Sequence, residues 1–231
     1  MQSLPQRRRV YLMRHGEVSY FPDGRPVPPE GVPLNDEGRA QARAAARALA
    51  EVPLDRVVAT GLPRTDETAV IVVGERGIAI EVEPALREIQ PGRIGDIAPA
   101  ELRRTFIEAL TRPLAPEDRF LMGETFGALQ ARVLPAYRAL VADRSWRRLL
   151  IVAHGAVNRV ILGAVLGVGL ESFGHLEQDP ACINIFDLDE RDYGIIRLIN
   201  YTPYNAIKDG IELTTMERYF LDYWPPSEMR D

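Results

Sequence analysis

The stretch Val10-Tyr11-Leu12-Met13-Arg14-His15-Gly16-Glu17 decides how this chain is read. Apolar residues rich in strand formers run straight into Arg-His-Gly-Glu, which places the polar group where a buried strand gives way to a loop. A second stretch repeats the pattern, Leu149-Leu150-Ile151-Val152-Ala153 followed by His154-Gly155. The chain has three histidines, so two of the three stand before a glycine at the end of an apolar run. In open α/β sheets ligands bind at the carboxyl ends of the strands, and both imidazoles can then reach one crevice. That pairing points to phosphate chemistry.

Outward from the first strand, residues 19–33 carry Pro22, Pro26, Pro28, Pro29 and Pro33 with Gly24 and Gly31, which excludes helix and central strand. The segment reads as an ordered loop placed to wall a pocket; a surface excursion is the plainer alternative. Asn35 makes a good N-cap, with Asp36 and Glu37 complementing the helix dipole. Ala42, Ala45, Ala46, Leu49 and Ala50 follow at helical spacing, up to Pro53. Residues 56–59 read as a short second strand, and residues 60–69 turn into a helix with Pro63 near its first position. Arg64 therefore lies in a first turn, where the macrodipole favours anions. An anion held by Arg64 together with backbone N–H groups resolves the conflict; an arginine folded back over the surface is the alternative.

Residues 78–82 read as a third strand, with Glu88 following it. Helical patterns return at 99–110 and 123–141, and after His154 a helix with Val157, Val160, Ile161, Ala164 and Val165 inward is stopped by Gly167 and Gly169. Residues 182–188 and 193–199 read as a hairpin. The alternation predicts an α/β fold, a mainly parallel central sheet flanked by helices on both faces with one antiparallel edge. With no internal repeat or boundary signal, residues 1–231 read as one domain. Residues 201–231 form an aromatic-rich C-terminal extension with Tyr201, Tyr204, Tyr219, Phe220, Tyr223 and Trp224. Disordered tails are poor in aromatics, so order is expected, with a helix near 213–221 before Pro225 and Pro226. It docks either beside the Pro-rich loop, the favoured site, or across a second subunit.

At 231 residues and 46% hydrophobic composition the chain can bury a substantial core. A net charge of −5 argues against a nucleic-acid partner. No apolar run approaches the roughly 20 residues of a membrane span, and the one after the basic start breaks at Arg14, too soon for a signal peptide. The lone cysteine, Cys182, excludes an intrachain disulfide and fits a reducing, cytoplasmic compartment. Lys208 is the only lysine; arginine suits phosphate binding, but enrichment this broad is mostly surface charge.

Phosphoryl transfer needs a nucleophile, cations on the non-bridging oxygens and an acid for the leaving oxygen. An imidazole with an unprotonated nitrogen is such a nucleophile. Arg14 and Arg64 can hold oxygens bidentately, a protonated His154 can donate another hydrogen bond, and Glu88 can be the acid if burial raises its pKa.

These residues resemble the histidine phosphatase superfamily, the phosphoglycerate-mutase-like enzymes. The family's Arg-His-Gly-Glu is Arg14-His15-Gly16-Glu17. Its Leu-(Thr/Ser)-x-x-Gly-x-x-Gln-Ala resembles Leu34-Asn35-Asp36-Glu37-Gly38-Arg39-Ala40-Gln41-Ala42. Its Ser-x-Leu-x-Arg-x-x-x-Thr-Ala is similar to Thr60-Gly61-Leu62-Pro63-Arg64 with Thr68-Ala69. Leu86-Arg87-Glu88 with Gly92, Gly123-Glu124-Thr125 and His154-Gly155 complete the order. The resemblance implies His15 as the phosphorylated nucleophile, Arg14, Arg64 and His154 as phosphate ligands, Glu88 as proton donor, and no metal or organic cofactor. Two departures bear on the substrate: Ile94 stands where a Trp is usual, and no Asn follows Glu17 in Val18-Ser19-Tyr20-Phe21.

The three histidines lack zinc-ligand spacing, and neither Gly-x-Ser-x-Gly nor a P-loop is present. His175 falls in no block and reads as structural or surface. Glu17, which phosphate would repel, reads as orienting its neighbours. The expected function is a phosphomonoester hydrolase acting through phosphohistidine on a small phosphorylated metabolite. A phosphoglycerate-type phosphomutase uses the same residues but usually carries the missing Asn and a longer segment after the acid Glu. A non-catalytic phosphate-binding protein has no need of the full set. Beyond the substrate, a homodimer stays open, and neither nucleic acid nor membrane is an expected partner.

Overall fold

The computed structural model describes residues 6–107 and 110–224. Strands β1 (Arg8–Arg14), β2 (Arg56–Ala59), β3 (Ile80–Val82), β4 (Arg148–Ala153), β5 (Ile183–Leu188) and β6 (Gly194–Tyr201) form one sheet ordered β3-β2-β4-β1-β5-β6. β1, β2, β3 and β4 pair in parallel, and β5 is antiparallel to both of its neighbours. The helices are α1 (Asp36–Ala48), α2 (Pro63–Val73), α3 (Pro99–Phe106), α4 (Phe126–Ala142), α5 (Gly155–Leu166) and α6 (Thr215–Tyr223).

The continuous apolar runs of β1 and β4 have a plain cause: both strands are covered on both faces. Val10, Leu12, Leu149 and Ile151 face α4 and α5 in one core. Tyr11, Met13, Leu150 and Val152 alternate with them and face α1 and α2 in another. The α/β fold with a mainly parallel sheet is the one expected. β3 is two residues shorter than its apolar pattern, while β6 runs on to Tyr201.

Local chemistry sets the helix ends. The Asn35 side chain accepts from the N–H of Gly38 and the Thr125 side chain from that of Ala128, and Gly167 ends α5 in the left-handed region at φ 72°. Thr214 and Glu217 form a reciprocal capping box at the start of α6. The Pro-rich loop is ordered over its own small core of Val18, Val32 and Leu34 against Ala42 of α1. The expectation that it holds no helix needs one correction. Pro22–Gly24 and Pro29–Gly31 are single 3₁₀ turns, which the fixed φ of proline favours.

A third apolar cluster joins Ile97, Leu102 and Phe106 to Phe220, with Phe21, Tyr223 and Trp224 packed against it. α6 thus folds back onto α3 and the Pro-rich loop of its own chain. Pro225 and Pro226 lie outside the described residues.

Candidate active site

β1 and β4 are adjacent and in register at Arg14 and Ala153, so the residues that follow them emerge side by side. The His15 N–H donates to the Ala153 carbonyl at 3.0 Å, and the rings of His15 and His154 lie 5.2 Å apart, edge to face. Both are buried, at 1% and 0% exposure.

Nδ1 of His15 lies 2.6 Å from the carbonyl oxygen of Gly16. A carbonyl only accepts, so the proton belongs on Nδ1 and the lone pair on Nε2, which has no protein partner. His154 is oriented from the other side. Thr65 donates to the Leu62 carbonyl at 2.8 Å, which leaves its hydroxyl to accept from Thr60 at 2.8 Å. Thr60 in turn accepts from Nε2 of His154 at 2.9 Å, and Nδ1 faces away without a partner.

Arg14 and Arg64 are 4% and 1% exposed. Arg14 donates through Nη1 to the Gln178 carbonyl (2.6 Å) and Thr215 Oγ1 (3.0 Å), and through Nη2 to the Tyr219 hydroxyl (2.9 Å). Arg64 donates through Nη1 to the Pro29 carbonyl at 2.5 Å and lies 5.7 Å from the Tyr20 ring. The shared-anion reading of α2 is corrected in part. The N–H groups of Thr65 and Asp66 are taken by the Leu62 carbonyl, so Arg64 offers its side chain without those two amides.

Seven buried side-chain atoms among the described residues lack a partner, and four of them are Arg14 Nε, His15 Nε2, Arg64 Nε and His154 Nδ1. Orphaned buried donors are costly. Here they belong to the four residues whose charges act on one another. A tetrahedral oxyanion satisfies the two guanidinium donors, meets the lone pair of His15 Nε2, and gives His154 Nδ1 an acceptor once that ring takes a second proton, which is the chemistry this set offers. Burial first, then the charges of Arg64 and Arg14, hold His15 well below the usual imidazole range. Burial, Arg64 and His15 do the same to His154.

Glu88 stands at the opening of this hole. Burial raises its pKa above the ordinary carboxylate range, against the pull of the Ile89 N–H and of Arg64 and Arg14. A Cβ on Gly155 would sit 3.7 Å from Arg14 Nε and 3.9 Å from Glu88 Oε2. The missing side chain therefore keeps the space between acid and cation open.

The remaining motif residues hold these groups in place. A Cβ on Gly16 would strike the Gly38 carbonyl, so the two glycines let α1 press against the His15 loop. Gln41 accepts from the Glu17 N–H at 3.0 Å, and Thr68 accepts from the Gly16 N–H at 3.1 Å while donating to the Arg64 carbonyl. Glu17 lies outside this hole, in a small cavity with Arg218 and Asp222. His175 is exposed in a 3₁₀ turn.

Sequence reasoning missed Arg132, whose guanidinium donates to the carbonyls of Ala85, Arg87 and Glu88 and pairs with Glu124 at 2.9 Å. Glu124 also accepts from the Gln90 N–H at 3.0 Å. The Gly123-Glu124-Thr125 block thus clamps the loop that carries Glu88. Thr215 and Tyr219 were missed as well, since no motif spacing marks them.

Residues 10–201 match the family model described as histidine phosphatase superfamily (branch 1). The chain belongs to that superfamily. It is 26% identical over 211 residues to a probable 2-carboxy-D-arabinitol-1-phosphatase of Arabidopsis thaliana, covering 88% of this chain but only 44% of that protein. It is 28% identical over 189 residues to a probable phosphoglycerate mutase GpmB of Enterobacter sp. (strain 638), covering 79% of this chain and 86% of that one. The structure of a putative alpha-ribazole-5'-P phosphatase from Escherichia coli K-12 MG1655 superposes with a TM-score of 0.70 at 25% identity, covering 84% of this chain and 96% of that one. The fold and chemistry are those of a superfamily of phosphate-ester hydrolases that has mutases among its relatives. Among the described residues no helix is long and apolar enough to cross a membrane.

Proposed function

We propose that this protein hydrolyses phosphate monoesters of small molecules through a phosphohistidine at His15. The observation that carries the reading is the Nδ1–Gly16 hydrogen bond, which leaves the Nε2 lone pair of a neutral, buried imidazole beside two arginines. In the first step Nε2 attacks phosphorus, the bond from phosphorus to the alcohol oxygen breaks, and that oxygen takes the proton of Glu88. Arg14, Arg64 and a protonated Nδ1 of His154 hold the non-bridging oxygens as charge shifts onto them. In the second step Glu88, now a carboxylate, takes a proton from water as the water oxygen attacks phosphorus. The P–N bond then breaks and inorganic phosphate leaves.

A phosphoglycerate-type mutase would use the same residues but must retain the phosphoryl group. The missing Asn after Glu17 and the open cavity above Glu88 favour its release to water. The buried, unpaired Cys182 supports a reducing, cytoplasmic setting. Acid-labile, base-stable phosphate trapped on the protein by quenching with labelled substrate tests the proposal, and His15→Ala should abolish both label and turnover. If His15→Ala keeps a tenth of wild-type turnover, the mechanism is wrong. A bisphosphorylated primer that activates phosphoryl exchange between metabolites would point to a mutase instead.

A further inference from the structure

Above the two arginines the hole widens into a cavity of about 460 Å³ that Arg14, Arg64 and Glu88 also line. Neither His15 nor His154 lines it, but their neighbours Arg14 and Gly155 do. An in-line attack from Nε2 expels the alcohol on the side opposite the imidazole, so the cavity is where the alcohol must sit. Its walls are aromatic and aliphatic. Phe126 and Phe173 meet edge to face at 5.0 Å on the α4–α5 side. Phe21 and Phe106, 6.4 Å apart, line it from the Pro-rich loop and α3, as do Ile94 and Phe120.

The charges within reach do not make a second anion site at depth. Arg159, 8% exposed, lines the cavity and has an unpartnered Nε, but its charge is met by Glu177 at 2.7 Å and its guanidinium stacks on Phe173 at 5.2 Å. Arg87 and Arg93, both exposed, also line it, as does the exposed Glu30. A sugar or hydroxyacid alcohol would have to leave water for a wall whose surface is mostly apolar. An alkyl or aryl group loses nothing there and gains burial.

We propose that the substrate is the phosphate monoester of an apolar alcohol, an alkyl or aryl group of several carbons bearing no second anionic group. This deepens the hydrolase reading and rests on it for the position of the phosphate. Phe21, Ile94 and Phe106 are the specificity-determining side chains. None belongs to the motif blocks, and Ile94 stands at the position where the family's Trp is usual.

Hydrolysis of the n-alkyl phosphates from propyl to octyl tests the inference, because their leaving groups differ in length and hardly in basicity. Values of kcat/KM should rise about threefold to fourfold per methylene, the factor for burying one CH₂, until the cavity is full. Glycerol 3-phosphate and 3-phosphoglycerate should fall well below hexyl phosphate. Phe21→Ser should flatten the series, harming octyl phosphate more than propyl phosphate. In parallel, n-alkyl phosphonates, which cannot be hydrolysed, should bind His15→Ala with affinity that rises along the same series in calorimetry. A flat or falling series with good turnover of the polar phosphates overturns the apolar class and leaves the hydrolase reading standing. If no phosphate ester labels His15, the hydrolase reading fails; if phosphonate affinity is then also independent of length, this inference fails with it.

Discussion

The hydroxyl of Tyr219 accepts a hydrogen bond from Nη2 of Arg14 at 2.9 Å, and Thr215 accepts from Nη1 of the same guanidinium at 3.0 Å. Both partners come from α6, beyond residue 201 where the family match ends. A guanidinium is a planar fork, so fixing its two terminal nitrogens also fixes the direction of Nε. The Tyr219 ring is itself braced, edge to face on Tyr20 at 5.2 Å and near Phe21 at 6.4 Å. Tyr20 lies under Arg64. The Pro-rich loop and α6 thus form a collar that sets both phosphate-facing arginines.

Tyr219→Phe keeps the ring and removes the acceptor. A hydrogen bond to a charged group is worth about 1.5–3 kcal/mol, so kcat/KM should fall about tenfold or more. Inhibition by orthovanadate should weaken in parallel, since both read the aim of Arg14. The melting temperature should hardly move. Unchanged vanadate affinity would mean that Tyr219 only packs.

The two buried histidines make stability depend on pH with a definite sign. Each is held well below its ordinary value of 6.5 in the fold, whereas unfolded chains titrate near it. Below that value the unfolded state binds more protons than the native state, so stability falls as pH falls. The slope is at most about 1.4 kcal/mol per pH unit for each histidine. Glu88 has the opposite sign: its pKa is raised, so its contribution is complete below 4.5 and lost as pH rises through the folded value. Thermal melts from pH 7 to pH 5 should therefore show a falling midpoint. Inorganic phosphate should offset much of the fall by giving a protonated His154 an acceptor. A midpoint flat to pH 5 without phosphate would contradict neutral, buried imidazoles.

Glu88 and Arg132 should fail in the same direction, to different degrees. General acids contribute about 10²–10⁴-fold, most where the leaving group is poor. Glu88→Gln should cripple alkyl phosphates far more than an activated aryl phosphate. Arg132→Ala removes the clamp on three carbonyls around Glu88, so it should show the same alkyl-over-aryl bias, about tenfold in kcat, with little change in KM. Equal losses on both substrates would take Glu88 out of the acid's role.

What the sequence disclosed and what it withheld follow from the range of the interactions. His15 and His154 were legible because each closes an apolar strand, and two buried parallel strands bring their ends together by register alone. The Asn35 cap and the Gly167 stop are local chemistry and were equally plain. The clamp of Arg132 on Glu88 spans more than 40 positions and joins α4 to a loop, and nothing in the spacing of an arginine inside a helix announces it. Thr215 and Tyr219 reach Arg14 from 201 and 205 residues away. The aromatic content of the tail signalled that it would bury something, though not that it would grip a phosphate ligand.

A chain ending at residue 213 puts that grip to its strongest test. It loses Phe220 and Tyr223 from the cluster around Phe106, and aromatic burial contributes roughly 25 cal/mol per Å². The melting temperature should therefore drop by several degrees. It also strips Arg14 of two acceptors and opens the cavity at Met216 and Tyr219. Catalysis should suffer more than in Tyr219→Phe, and the preference for long alkyl phosphates should shrink. The number of subunits per particle in solution should not change, because α6 packs on its own chain. If the shortened protein melts and turns over like the full one, α6 is a dispensable appendage and Arg14 is aimed by Gln178 alone.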